Sequence, residues 1–254
     1  MIALFDYDSA IYHAVYRIVS ISDIRNYLES GIDKDTIRKQ IIFDAMDRLN
    51  NITLKILDSV EATKIKIDSI EYFVTNCKNS IRKKIDTNYK ANRKPTSIGK
   101  WVSLLRNELI SDGVVSWSDE WEADDLIADR ASDIPYYGCV IISLDKDLMQ
   151  IPGVHFNYYK DKESGQMRGL SHTSKLDSFR SLAYQMLTGD STDNIKGIPK
   201  IGIKRANDIL GHCKTEYGLF RNVVQAYYEF KDRLEEEPRI ELMKNFRLLK
   251  LGTK

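Results

Sequence analysis

Apolar residues along this chain fall into two kinds of segment: short unbroken runs that stop at an acid, and longer stretches in which they recur every three or four positions. The clearest short run is CVIISLDKD, where Val140, Ile141 and Ile142 follow Gly138 and end at Asp145 and Asp147. An unbroken β-branched run of this kind predicts a strand buried on both faces. Residues 1–6, MIALFD, repeat the design and end on Asp6. SIEYFVT at 69–75 and HFNYY within 151–159 predict further strands, and VVSW at 114–117 a short one. Helical spacing lies between them: Ile11, Ala14, Val15 and Ile18 after the first strand, then Ile37, Ile41, Ala45, Leu49, Ile52 and Ile56 in a long helix from Asp35 to about Asp58. WEADDLIADRA at 121–131 and Ser178 to Leu187 follow the same period. Strands alternating with helices predict βαβ crossovers and a mostly parallel α/β sheet. The polar stretch KDKESGQMRG reads as a hairpin. The tail from Glu216 is helical, breaks at Glu235 to Pro238, resumes through Ile240, Met243, Phe246, Leu248 and Leu249, and is expected to pack back on the rest.

In open α/β sheets ligands sit beyond the carboxyl ends of the strands. Asp6, Asp145 and Asp147 therefore stand where chemistry is expected, and paired carboxylates there invite a hard divalent cation. Glu122, Asp124 and Asp125 crowd the first turn of a predicted helix, more acids than capping requires. Glu122 and Asp125, three apart, are expected to share a face, with Asp124 pointing elsewhere unless the first turn is irregular. Asp190 and Asp193 add a second pair at the same spacing. Asp8 or Ser9 is expected to cap the helix after the first strand. Eight carboxylates brought together would repel one another and raise each other's pKa unless cations neutralise them. All are oxygen donors, with no His or Cys at ligand spacing, which selects Mg²⁺ or Mn²⁺ over Zn²⁺.

Composition changes this picture mainly through charge. The 254 residues are 43% hydrophobic and contain no apolar run long enough to span a membrane, and the chain opens on a strand rather than a leader, so a soluble cytoplasmic protein is expected. Cys77, Cys139 and Cys213 lack C-x-x-C spacing, which argues against a disulfide framework or a zinc site. The net charge of +1 conceals segregation. Residues 78–106 hold nine basic residues against the single acid Asp86, with Tyr89 and Trp101 interleaved. Such a segment suits a phosphate backbone with unstacked bases; Pro95, Ser97 and Gly99 predict that it is interrupted. At 189–206, GDSTDNIKGIPKIGIKRA reads as helix, hairpin, helix. Gly197 and Gly202 would let backbone N–H groups approach an anion, and Lys196, Lys200, Lys204 and Arg205 add charge without base information.

Four motifs in this order resemble the 5′-nuclease superfamily, which contains flap endonucleases, the 5′-nuclease domains of bacterial DNA polymerases and the stand-alone 5′ to 3′ exonucleases of bacteriophages. They are the strand ending in Asp6; NYKANRK at 88–94; EADD at 122–125 with SLDKD at 143–147; and GDSTDNIKGIPKIG at 189–202. The resemblance spans residues 1 to about 210. It implies a PIN-like nuclease domain over 1–177 with a helical arch at about 78–106, and a helix-hairpin-helix region with C-terminal helices over 178–254. Asp6, Glu122, Asp124, Asp125 and Asp145 would serve a first Mg²⁺, and Asp147, Asp190 and Asp193 a second, with Mn²⁺ able to substitute and K⁺ at the hairpin. Lys90 and Arg93 would contact the scissile phosphate and Tyr89 would stack on the terminal base. Arg82, Lys83, Lys94, Lys196, Gly197, Ile198, Lys200, Gly202, Lys204 and Arg205 would hold DNA. The implied activity is cleavage of DNA at 5′ ends, flaps or nicks by a monomer, extending to RNA of RNA–DNA hybrids. The family's aspartate at the end of the second strand falls at Thr75 or Asn76. A PIN-type ribonuclease and a structure-specific DNA-binding protein without catalysis are the competing readings.

Overall fold

The computed structural model, which describes residues 1–19, 33–161, 163–164 and 167–253, forms four of the five strands of its main sheet where the strand-like runs predict them, the fifth, Met167–Thr173, following no apolar run. The five are β1 (Ile2–Asp6), β2 (Ser69–Phe73), β3 (Cys139–Ile142), β4 (Gly153–Lys160) and β5 (Met167–Thr173), in the order β2-β1-β3-β4-β5. β1 runs parallel to both β2 and β3, β3 parallel to β4, and β5 antiparallel at the edge. The fold is α/β with a mostly parallel central sheet. VVSW forms no strand of its own: Ser116 bridges to Phe73, accepting the Val74 N–H at 3.0 Å and donating its own to Tyr72 O at 2.8 Å. Residues 162, 165 and 166 of the β4–β5 turn lie outside the described ones.

Side chains alternate across the strands, and both sets are covered. Ala3, Phe5, Val140 and Ile142 face α1 (Asp8–Ile18), α2 (Lys34–Glu61) and α4 (Ser97–Ser111). Leu4 and Ile141 face α5 (Ala123–Ser132), meeting Ala123 and Ile127. Of the stripe predicted on α2, Ile37, Ile41, Ala45, Leu49 and Ile56 are buried and Ile52 is half-buried, and Asp33 caps the helix start by accepting the Asp35 and Thr36 N–H groups, each at 3.0 Å. Neither Asp8 nor Ser9 caps α1. The cap position is Tyr7, whose side chain makes no capping bond and is buried with its hydroxyl 2.8 Å from Thr53 Oγ1.

α3 (Ile81–Ile85) and α4 bracket the break in the basic segment. Ser97 and Gly99 start α4 rather than interrupting it, since Thr96 Oγ1 accepts the Gly99 N–H at 3.0 Å. α6 (Lys175–Thr188), β6 (Gly189–Asp190), β7 (Ile195–Lys196), α7 (Ile203–Leu210), α8 (Glu216–Glu229) and α9 (Pro238–Leu249) surround a second core, with Leu187, Ile198, Val223 and Tyr227 at its centre. β6 and β7 form a two-residue antiparallel ladder between α6 and α7. Gly189, at φ 73°, and Gly197 face each other across it, and a Cβ on either would overlap the other's backbone nitrogen. Gly197 is thus required for chain-to-chain approach. Ile198 is no phosphate contact, because it is buried and its N–H is committed to Leu187 O at 2.9 Å.

Candidate active site

β2 and β3 flank β1, so the crossovers diverge at β1 and leave a crevice beyond its carboxyl end. A cleft of about 620 Å³ lies there. Asp6 and Asp8 reach it from the end of β1, Glu122 and Asp124 from the start of α5, Asp145 and Asp147 from the segment after β3, and Asp190 and Asp193 from the hairpin. Lys90, Arg93, Arg106 and Lys146 are the cations that share it. The cleft gathers all the acids expected from sequence except Asp125, and adds Asp8.

Asp125 does not line the cleft, because Arg82 holds its carboxylate. Glu122, extended at φ −80° and ψ 166°, is the cap of α5 and forms a capping box with Asp125. Asp124 lines the cleft instead. Asp125 is fully buried; Arg82 Nη1 and Nη2 donate to its carboxylate at 2.5 and 2.7 Å, and the Glu122 N–H donates to Oδ2 at 3.2 Å. Arg82 is buried too, with Nε donating to Leu248 O at 2.9 Å, so it is not a DNA contact. Each of the two satisfies the other's charge.

Thr75, at the place of the expected carboxylate, fixes the start of α5: its Oγ1 accepts the Ala123 N–H at 3.1 Å. Its own N–H donates to Asp8 Oδ2 at 3.0 Å, and Arg106 donates to Asp8 Oδ1 at 2.8 and 3.1 Å. The carboxylate beside this strand end is therefore Asp8. Sequence reasoning passed over Asp8 and Arg106, although Asp6 and Asp8 repeat the spacing of Asp145 and Asp147.

The NYKANRK motif is folded onto the acids. Tyr89 is buried and its hydroxyl bonds to Glu122 Oε2 at 3.1 Å and Asp193 Oδ2 at 3.0 Å. It cannot stack on a base in this position; it ties two acidic segments together. Lys90, at φ 56°, donates its N–H to Asp193 O at 2.9 Å, and its ammonium pairs with Glu122 and lies 3.5 Å from Asp193 Oδ2. Arg93 Nη2 meets Asp193 Oδ1 at 2.5 Å.

Burial, then the charges of Asp8 and Asp145, push the Asp6 carboxyl up to about 7, opposed by the Ser143 hydroxyl donating at 2.6 Å. Burial and the Asp145 and Asp190 charges push Asp147 up to about 7 as well, while Gln185 Nε2 donates to it at 2.7 Å. Burial and neighbouring Asp125 raise Asp124 well above the ordinary range. Among the described residues, no three acidic, histidine or cysteine side chains are gathered round one point as they stand, and Glu122 and Asp193 are paired with Lys90 and Arg93. The donor chemistry nonetheless fits hard divalent cations: carboxylate oxygens from four segments face one opening, and burial with mutual repulsion raises the pKa of Asp6, Asp124 and Asp147.

Of the remaining residues expected to hold DNA, Lys83, Lys94, Lys196, Lys200, Gly202, Lys204 and Arg205 are exposed. Lys196 pairs with Glu235 at 2.6 Å, and the Arg205 guanidinium lies 4.4 Å from the centre of the Phe230 ring.

Residues 2–176 match the family described as 5′-3′ exonuclease, N-terminal resolvase-like domain. The chain belongs to this family. Flap endonuclease Xni of Colwellia psychrerythraea is 32% identical over 213 residues, 78% of this chain and 68% of that protein. DNA polymerase I of Rhizobium leguminosarum is 34% identical over 160 residues, 60% of this chain and 15% of the polymerase. Among solved structures, the bacteriophage T5 D15 flap endonuclease with DNA and metal ions superposes with a TM-score of 0.59 at 15% identity, covering 98% of this chain and 88% of that one. At that identity the likeness concerns the fold. In this 5′-3′ exonuclease family member the family match ends at the start of α6, so it takes in the sheet and the acids up to Asp147.

Proposed function

We propose that this chain is a divalent-metal-dependent 5′ nuclease that hydrolyses DNA phosphodiester bonds at or near 5′ ends, flaps and nicks, with Mg²⁺ as the working ion. The observation that carries this reading is the convergence of eight carboxylates on the cleft beyond β1. Family membership and the named flap endonuclease relative support the substrate class. Asp6, Asp8, Glu122, Asp124 and Asp145 would hold one ion, and Asp147, Asp190 and Asp193 the other, directly or through water. Bound there, the ions supply Lewis-acid stabilisation of the reacting phosphate and a water of lowered pKa. Lys90 and Arg93 are already at the cleft, paired to Glu122 and Asp193. A phosphate entering beside them offers a competing anion, and their transfer to it places positive charge where negative charge develops. Water attacks phosphorus as the P–O3′ bond breaks, leaving a 3′-hydroxyl and a 5′-phosphate. The exposed Lys200, Lys204 and Arg205 on the hairpin and α7 suit the duplex backbone, gripping it without reading bases.

The test is digestion of flap and nicked duplexes labelled at the 5′ or the 3′ end, with Mg²⁺ or EDTA, beside an RNA–DNA hybrid and single-stranded RNA. The proposal expects Mg²⁺-dependent release of short products from the 5′ end. Cleavage confined to single-stranded RNA, or progressing from the 3′ end, would overturn it.

A further inference from the structure

The last residues of α9 and those that follow it are fastened to the elements that carry the acids. Arg82 Nε donates to Leu248 O at 2.9 Å and Nη2 to Lys250 O at 3.4 Å, while the same guanidinium holds Asp125. Gly252, at φ 95°, donates its N–H to Asp125 Oδ1 at 3.1 Å. Thr253 donates its N–H to Asp129 Oδ1 at 2.9 Å, and its hydroxyl bonds to Asp129 Oδ2. Asp125 and Asp129 are one turn apart on α5, the helix whose start bears Glu122 and Asp124.

A second set of bonds runs the other way. Gln150 Nε2 donates to Leu249 O at 3.0 Å and to Gln185 Oε1 at 2.6 Å, and Gln150 Oε1 accepts the Leu251 N–H at 3.4 Å. Gln185 in turn donates to Asp147 Oδ1 at 2.7 Å. Asp147 and Gln150 are the two ends of one 3₁₀ turn. Residues 248–253 thus bind both acid-bearing elements, α5 with Glu122 and Asp124, and the turn with Asp147.

We propose that this C-terminal strap sets the relation between the two acid groups and thereby the divalent-ion affinity of the cleft, with Arg82 and Gln150 as positioning residues. The proposal rests on reading the cleft as an ion site. The physical reason is preorganisation: carboxylates that repel one another drift apart unless their backbones are tied, and each ion must otherwise supply the ordering. Outer partners of this kind matter to affinity without touching the ion.

Three proteins decide it: the wild type, a chain shortened to end at Lys250, and full-length Gln150→Ala. Mn²⁺ binding without DNA is followed by the paramagnetic resonance of free Mn²⁺, flap binding is measured in Ca²⁺, and single-turnover cleavage is titrated with Mg²⁺. Thermal melting in EDTA establishes that each variant folds. Both variants are expected to need about tenfold more ion for half-saturation, to recover most of the maximal rate at high Mg²⁺, and to bind the flap within twofold of wild type. An unchanged Mn²⁺ affinity in a folded variant overturns the proposal, whatever its melting temperature. Gln150→Ala alone decides if the shortened chain does not fold. A wild type that binds no Mn²⁺ would instead overturn the reading of the cleft.

Discussion

Asp6 is buried at the end of β1 with its carboxyl pushed from 3.8 up to about 7, first by burial and then by Asp8 and Asp145. In the metal-free protein the folded state therefore holds, between about pH 4 and 7, a proton that the unfolded state has already released. Stability must fall as pH rises through that window, the reverse of a salt-bridged aspartate. At 1.36 kcal/mol for each tenfold change, the full displacement corresponds to about 4 kcal/mol. Local relaxation and water entry at the cleft bring the expected loss to about 2 kcal/mol, which is a fall of about 4–8 °C in melting temperature for a chain of this size. Asp6→Asn removes the charge and keeps an oxygen for the Ser143 hydroxyl. Thermal melting in EDTA at pH 5 and pH 8 should show the wild type losing several degrees at the higher pH, the variant losing less, and Mg²⁺ restoring the wild type only. A wild type equally stable at both pH values, or a variant with the same pH response, would refute the reasoning.

Other substitutions separate the roles of neighbouring residues. Tyr89→Phe keeps an aromatic face but loses the hydroxyl that joins Glu122 to Asp193; it should lower stability by about 1 kcal/mol and raise the Mg²⁺ requirement for cleavage, whereas unchanged Mg²⁺ titrations would restore a stacking role. Lys90→Ala should slow single-turnover cleavage by about a hundredfold while weakening flap binding far less, and equal rates would show that its ammonium never reaches the phosphate. Gly197→Ala places a methyl against the backbone of Gly189. It should cost about 1–3 kcal/mol in urea denaturation and loosen duplex binding; native stability would mean the hairpin can open without penalty.

Much of the site was legible because strand ends are legible. Asp6 and Asp145 terminate unbroken apolar runs, and parallel pairing with register Phe5 to Ile142 brings those ends side by side. The errors came where a residue's partner is distant in sequence. Arg82 and Lys83 look alike in a basic run, yet the carbonyl of Leu248 and the carboxylate of Asp125 bury the first and leave the second exposed. Tyr89 among lysines suggests an exposed stacking ring until Glu122 and Asp193 close on its hydroxyl. Asp125 lies outside the cleft because Arg82, 43 positions earlier in the chain, holds its carboxylate, a partner that helical spacing cannot reveal. Asp8 passed for a cap because its partners, Thr75 and Arg106, come from β2's end and α4.

That the carboxylates of the cleft hold the ions that cut DNA is tested most directly by Asp145→Asn. Asp145 is exposed at the end of the β3 segment and accepts the Asp147 N–H at 2.8 Å, a bond that an amide oxygen can keep. Single-turnover cleavage of a 5′-flap in Mg²⁺, measured beside flap binding in Ca²⁺, should show cleavage abolished and binding retained. Cleavage at the wild-type rate in this variant would contradict the account.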